Sequence, residues 1–562
     1  MDETRKNVMN AVLSTSRSDN KTTEANIADK LDQIARVRPD LTALVQGSRH
    51  KGQMITYRQL SKRVARKAGA LSENGVRQGD LVLMLEPMSI DLYISILAVF
   101  RIGATVLILD AAAGRAKLEH AIERTKPRAV IACGKGILAA LALSSVRRIS
   151  LKFSDGFTPI GWCSLKENGW HRPASCEAVA PDHPALITLT SGTSGTPKMI
   201  VRSHRFLETQ LHAVASNCNV EAGRSELTSL PVFVLANLAS SVTSILPDSN
   251  LSNLAKLDAD SIVKQIQGHL PDRMLASPLF VEKVIDRCIA TGITLPSVKT
   301  IITGGGPVFP KLLKKAKSVC PNADLITVYG STEAEPVSKI RFDDLSDDDF
   351  NAIACGAGLP VGRPVEQIKI RILPLIEQDR QLTNRDQLSR LRHVCEIASV
   401  PLDAVGEIIV TGNHVVKGYD GGTADAETKI LIDGEVWHKT GDIGYVDRLG
   451  RLWLTGRRAS TAEWKSYISA SGKQTHTIDP SFSQCVEAVA LSDENVSRAA
   501  CLTLDDETTL YIETDEPSRF DAWAIKDRLN WGSLNSIKLI RKIPVDSRHS
   551  SKVLYEKLAA SA

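Results

Sequence analysis

Three short stretches of this chain carry residue types whose spacing suits chemistry on a phosphorylated ligand. TSGTSGTPK, residues 190–198, follows the apolar run LITL and sets Thr190, Ser191, Gly192, Thr193, Ser194, Gly195 and Thr196 ahead of Lys198. Glycines let backbone N–H groups converge on an anion, hydroxyls add donors, and a lysine supplies a compact positive charge. The spacing departs from GxxxxGK[ST], and a flexible surface turn is the alternative; the preceding strand and the closing lysine favour the phosphate reading. VYGSTEAEP, residues 328–336, sets Tyr329 at a strand end with Gly330, Ser331, Thr332 and Glu333 just beyond. An aromatic there can stack on a purine and a carboxylate near phosphates can hold Mg²⁺, although alone the pair is a weak signal, since such a tyrosine is usually a core residue and such a glutamate usually solvated. WHKTGDIGYVDRLGRLWLTGR, residues 437–457, holds Asp442 among glycines and ends on Arg457. Asp can accept two ribose hydroxyls and Arg can bind ribose or phosphate, whereas TGD and DRLG alone are ordinary hairpin turns.

Other residues carry two readings. Phe233, Leu235 and Leu238 could line an apolar acyl pocket or fill a core, and Gly304, Gly305 and Gly306 would let a ligand approach the backbone closely. His204 and His549 stand beside the Gly-rich loop and the terminal Lys552; proton transfer is one role for them and a structural role the other. No nucleophile, base and orienter appear at the spacing of a Ser or Cys hydrolase.

The elements that must position these groups alternate along the chain. Short β-rich runs at 82–86, 105–109, 129–133 and 185–190 are separated by helix-length amphipathic segments such as 57–75, and the pattern returns at 273–278, 298–306 and 325–330. Such alternation predicts α/β layers built on parallel strands, with ligands at the strand ends. Folding is expected to begin at Asn26, after a polar, flexible stretch 1–25. Beyond about residue 350, short alternating strands with Gly turns predict a small β subdomain, and the charged stretch 377–400 reads as a solvated insertion. The expected division is an N-terminal core over 26–457 and a small mobile α+β C-terminal domain over 458–562, whose basic end contains Lys552.

Composition narrows the class. A chain of 562 residues with 43% hydrophobic residues can bury a sizeable core, and its 69 Lys+Arg against 64 Asp+Glu give no overall signature of nucleic-acid binding. The ten cysteines form no CxxC pair or zinc-type spacing, which points to a reducing, cytoplasmic setting without a structural metal. The start MDETRKNVMN lacks the pattern of a secretory signal, and charged residues interrupt the richest apolar stretch, 81–109, so no integral membrane segment is expected.

In order and separation, the three motifs resemble the adenylate-forming enzymes: acyl-CoA synthetases, adenylation domains and luciferase-like ligases. The resemblance covers the chain from about Asn26. It implies ATP and Mg²⁺ as cofactors, residues 190–198 as the phosphate loop, Tyr329 as the adenine stacker, Thr332 as a phosphate contact and Glu333 as the magnesium ligand. By the same matching Asp442 binds the ribose, Arg457 precedes an interdomain hinge and Lys552 promotes adenylation. Retention of both lysines argues against a silent nucleotide- or acyl-binding protein. The stretches 230–248, 329–340 and 543–558, with the ending RHSSK, look most like the β-lactone synthetases of long-chain olefin biosynthesis. That likeness implies activation of a β-hydroxy carboxylic acid bearing an acyl chain, then internal capture, with a biosynthetic partner enzyme or carrier protein as a further partner. An acyl-CoA synthetase or carrier-loading ligase is the rival. After Arg457 the sequence RASTAEWKS lacks the usual hinge residue and the Gly-Gly approach to a thiol tunnel is missing, which counts against CoA transfer.

Overall fold

The computed structural model describes residues 26–48, 52–109, 114–165, 171–190, 198–375, 385–422, 424–458, 482–504, 507–532, 534–545 and 553–560. Ser191 to Thr196, His549 and Lys552, all singled out above, lie outside the described residues.

The runs at 82–86, 105–109, 129–133 and 185–190 become the strands Leu81–Leu85, Thr105–Ile108, Ala129–Ala132 and Pro184–Thr190. They lie in one seven-stranded sheet that is parallel except where Pro184–Thr190 turns back antiparallel into Lys198–Ser203. Nearly every residue of the helix Ile90–Arg101 is buried, as expected of a crossover helix pressed between layers. A second sheet begins with Thr42–Gln46 and continues through parallel strands that include Arg273–Ala276, Thr300–Gly304 and Asp324–Ser331. It then changes character: Ala334–Arg341, Leu359–Pro364, Leu452–Arg457, Glu435–Val446, Gly406–Gly412 and Ile368–Pro374 follow in antiparallel order. The expected β subdomain is thus a continuation of the parallel sheet, and Tyr329 stands near the changeover.

The strands Arg498–Leu504, Glu507–Glu513 and Leu534–Leu539 form a separate three-stranded sheet. The helix Ser483–Leu491 joins it to the rest, sending Cys485 and Ala488 into a cluster with Tyr445 and Trp453, and Val486, Val489 and Ala490 into a cluster with Leu510 and Ile512. Lys311, buried enough that its ammonium is held below the ordinary range, donates to the carbonyls of Glu494 at 2.8 Å and Val496 at 2.9 Å.

The described part of the stretch 377–400, from residue 385 on, differs from expectation. Residues 385–398 form the helix Arg385–Ala398, and Leu391, Val394 and Cys395 enter the cluster around Tyr445 and Trp453. Arg390 is buried and donates to Thr503 Oγ1 at 3.3 Å and to Thr508. The charges had masked an i, i+3, i+4 apolar stripe, which is enough to bury one face of a helix.

Candidate active site

The segment from Tyr329 to Glu333 joins Asp324–Ser331 to its antiparallel partner Ala334–Arg341, and the pairing register shifts between Tyr329 and Ser331. Such an irregularity re-aims side chains at a sheet end. Tyr329 Oη donates to Asp442 Oδ2 at 2.6 Å, and Arg457 Nε lies 3.1 Å from Asp442 Oδ1. Asp442 and Arg457 face each other across the hairpin formed by Glu435–Val446 and Leu452–Arg457. Burial, reinforced by the Asp442 carboxylate, pushes the Tyr329 phenol well above its ordinary range, so it remains a donor. A carboxylate has about four acceptor positions; with two used by Tyr329 and Arg457, Asp442 can still accept from a ligand's hydroxyl pair. Its side chain is 16% exposed.

A second group surrounds Tyr419. Its hydroxyl donates to Glu333 Oε1 at 2.8 Å, and the Val416 N–H donates to the Glu333 carbonyl at 2.8 Å. Lys198, the first residue of Lys198–Ser203, holds its ammonium 5.5 Å from the Tyr419 ring centre, and Lys429 holds its own at 5.0 Å. Lys429 Nζ is 3.2 Å from His438 Nδ1. Burial brings Lys429 down to about 8, while burial and the neighbouring Lys429 bring the His438 imidazole down to about 4. Burial opposes ionisation of Glu333, but hydrogen bonds, first among them that from the Tyr419 hydroxyl, favour the ionised form, and the carboxyl lies below its ordinary range. Glu333 is therefore an ionised, oriented carboxylate beside two ammonium groups. His438 and Asp442 stand on the same strand, whose pairing register with Gly406–Gly412 shifts between Lys439 and Ile443, so this strand serves both groups.

Arg202 ties the two halves of the site together. Its guanidinium donates to Thr188 Oγ1 and to the Thr332 carbonyl, both at 2.7 Å. That links the strands flanking the Gly-rich loop to the Thr332–Glu333 turn. Burial, offset in part by Arg202, raises the Glu335 carboxyl to about 7.

The structure brings Lys198, Glu333, Tyr329, Asp442 and Arg457 into these two groups and leaves other residues outside them. Phe233, Leu235 and Leu238, on the helix Pro231–Ala239, are buried members of the large N-terminal hydrophobic cluster. Gly304 lacks a side chain for a reason within the sheet: a Cβ would come 2.1 Å from the Val328 carbonyl oxygen. Gly305 has φ +80°, a turn conformation that favours glycine, and Gly306 follows it. His204 accepts the Ile27 N–H at its Nδ1, 3.2 Å away, and burial lowers its imidazole to about 4, which suits a neutral anchor for the segment at Ile27. Arg202, Tyr419, Lys429 and His438 were not singled out in the sequence. Arg202 alone left a signal, as a basic residue directly following the apolar run MIV at 199–201.

The donor set also tests whether Mg²⁺ fits. Among the described residues no three His, Cys, Asp or Glu side chains converge as a metal cage. Mg²⁺ bound to a nucleotide is ordinarily held by one or two carboxylates, substrate phosphates and water, and the half-buried Glu333 carboxylate suits that mode.

A large α/β body with an aromatic and carboxylate at the end of its parallel sheet, and a lysine following a Gly-rich loop, defines an adenylate-forming ligase. The chain belongs to the AMP-binding enzyme family, whose model matches residues 31–420. It is 30% identical to an olefin β-lactone synthetase of Stenotrophomonas maltophilia, with 96% of this chain and 98% of that protein covered. A second olefin β-lactone synthetase, from Xanthomonas campestris pv. campestris, is 26% identical with 96% and 97% covered. Among solved structures, the fold is similar to O-succinylbenzoate coenzyme A synthetase from Bacillus subtilis in complex with ATP and magnesium ion, with a TM-score of 0.68 and 19% identity over 94% of this chain and 99% of that one. The family activates carboxylic acids with ATP.

Proposed function

We propose that this protein activates a β-hydroxy fatty acid as its acyl-adenylate and closes it to a β-lactone, releasing pyrophosphate and then AMP. The observation that carries the acid-activating part is the convergence of Lys198 and Glu333 on Tyr419, beside the Tyr329–Asp442–Arg457 group. Near-full-length similarity to two olefin β-lactone synthetases supports the second step.

A carboxylate is a poor electrophile because its charge is shared over both oxygens. In the first step one of those oxygens attacks the α-phosphorus of ATP, the bond to pyrophosphate breaks, and the carbonyl acquires AMP as leaving group. Tyr329 packs against the adenine, Asp442 accepts the ribose hydroxyls, and Arg457 holds Asp442 in place. Lys198 and Lys552 oppose the negative charge on the phosphate oxygens, a contribution that grows where water is excluded. Glu333 would hold Mg²⁺, which neutralises phosphate charge when bound.

In the second step the substrate's own β-hydroxyl oxygen attacks the activated carbonyl carbon. The hydroxyl proton departs, the bond to AMP breaks and a four-membered ring closes. Enforced proximity offsets ring strain, since well-oriented intramolecular reactions reach effective molarities of about 10⁵–10⁸ M. Phe233, Leu235 and Leu238 lie on the helix we assign to the acyl-chain side of the site.

The β-hydroxyl provides the test. With a 3-hydroxy acid, AMP should be released on every turnover without CoA; with the matching 3-deoxy acid, ATP–pyrophosphate exchange should persist while net AMP release stalls. Equal steady-state AMP release from both acids would eliminate internal capture.

A further inference from the structure

Residues 114–165 combine an excess of positive charge with exposed apolar surface. Residues 114–165 contain nine Lys and Arg against three Asp and Glu, an excess as large as that of the whole chain, which carries 69 against 64. The same stretch holds Leu138, Leu141, Phe157 and Ile160, four of the thirteen exposed large hydrophobics among the described residues. Their exposures are 69%, 44%, 76% and 104%. The others are scattered along the chain, as single exposed hydrophobics ordinarily are.

Topology gathers these residues at one edge. The strands Ala129–Ala132 and Leu151–Ser154 run parallel with Ala132 opposite Ser154, so the segments leaving them start side by side. One is the helix Lys135–Ala142, which buries Ile137 and Ala140 and turns Leu138, Ala139, Leu141 and Ala142 outward. The other is 155–162, DGFTPIGW, whose Trp162 packs on the cluster containing Ala140 and Leu143. The root of this loop is fixed. Asp155 pairs with the buried Lys67, and Ser154 Oγ donates to Thr158 Oγ1 at 2.9 Å. Phe157 and Ile160 are thus held toward solvent by an anchored loop.

Cations surround the apolar surface. Lys135 opens the helix, Arg115 donates to the carbonyl of its last residue, Ala142, at 3.0 Å, and the exposed Arg147 and Arg148 follow in the next turn. Glu123 pairs with Arg148, and Glu119 is occupied by the Ser144 and Ser145 N–H groups at 2.8 Å each. Apolar tips with a cationic rim match a bilayer interface, where apolar groups enter the headgroup boundary and Lys and Arg meet anionic lipid.

We propose that the face formed by the helix Lys135–Ala142 and the loop 155–162 docks this protein on the surface of an anionic lipid bilayer. Phe157 and Ile160 insert, and Lys135, Arg115 and Arg147 engage the headgroups. This is peripheral attachment, and none of the described helices is long and apolar enough to cross a membrane. It goes beyond the acid-activating reading and does not depend on it, because binding is read without substrate.

The test is sedimentation of the full chain with vesicles of phosphatidylcholine alone and with equal parts phosphatidylcholine and phosphatidylglycerol. The protein should bind the anionic vesicles more tightly, and less so as salt rises. The double variant Phe157→Ser/Ile160→Ser should lower the partition coefficient at least about tenfold. Lys135→Ala and Arg147→Ala should each lower it about fivefold on anionic vesicles and leave binding to neutral ones unchanged. Melting temperature and pyrophosphate exchange with a short, water-soluble acid should be unaltered in all of them. Failure of the wild type to sediment with either vesicle, or binding indifferent to these substitutions, would overturn the proposal. A concentration-dependent dimer abolished by Phe157→Ser/Ile160→Ser would also overturn it, assigning the face to a second copy of this chain.

Discussion

Asp442→Asn removes one charge while keeping the side chain's shape, at the point where three functional groups meet. In the wild type one carboxylate oxygen accepts from Tyr329 at 2.6 Å and the other faces Arg457 at 3.1 Å. With only 16% of the Asp442 side chain exposed, the bond to Tyr329 is largely shielded from water, whereas Arg457, 46% exposed, leaves its side of the ion pair open to solvent. Hydrogen bonds to charged groups contribute about 1.5–3 kcal/mol each. The amide can still accept from Tyr329 through its oxygen, but it loses the attraction to Arg457 and one of the two acceptors offered to the ribose. The expected loss is about 2–3 kcal/mol in kcat/KM for ATP, or about 30- to 150-fold. Tyr329→Phe keeps the ring and removes one donor to the carboxylate, so its cost is about 1.5 kcal/mol, roughly tenfold. Because the two share a hydrogen bond, the double variant should fall short of the summed losses. ATP–pyrophosphate exchange over a range of ATP concentrations measures all three, with thermal melting as the folding control. If Asp442→Asn lowers the melting temperature but leaves kcat/KM for ATP unchanged, Asp442 is a structural clamp and its assignment to the ribose is wrong.

Other substitutions test separate parts of the account. Lys198→Ala should lower the exchange rate about 10²- to 10³-fold, the usual cost of removing one donor aimed at developing charge, while thermal melting shows the fold retained. Glu333→Gln should raise the Mg²⁺ concentration giving half-maximal exchange about tenfold or more, read by metal titration at saturating ATP. Glu487 bears on stability: burial raises its carboxyl from an ordinary 4.5 to about 8, against the opposing effect of the Cys501 N–H and the Tyr555 hydroxyl. Its contribution is complete below the ordinary value and is lost as pH rises through about 8. Across that window the wild type should lose up to about 5 kcal/mol relative to Glu487→Gln, which urea melts of both proteins at pH 4.5, 6 and 8 would measure. Lys311→Met should expose the segment near Asp493 to proteolysis sooner, because three backbone carbonyls lose their common donor.

What was legible in the sequence was local. A Gly-rich loop after an apolar run, an aromatic and an acid four residues apart, and an Asp and Arg on two arms of one hairpin all announce themselves within short windows. The pairing of Asp442 with Arg457 follows from strand register, which hairpin spacing nearly dictates. The surroundings of Glu333 are different. Tyr419, which orients it, stands 86 residues away, and Lys429 and His438 reach the same spot from a different hairpin. Nothing in a single sequence records such long-range convergence. The helix Arg385–Ala398 was hidden for another reason: a narrow apolar stripe under many charges resembles a solvated segment until a neighbouring face covers it. Gly304 is a related case, since its small size answers to the Val328 carbonyl on the adjacent strand.

The most direct measurement is mass spectrometry of the products formed from Mg-ATP and a panel of 2-alkyl-3-hydroxy acids, with and without CoA. Internal capture gives AMP together with a product one water lighter than its acid, formed equally well without CoA. An acyl-CoA that appears only when CoA is supplied, or an acyl-adenylate that accumulates without closing, would contradict it.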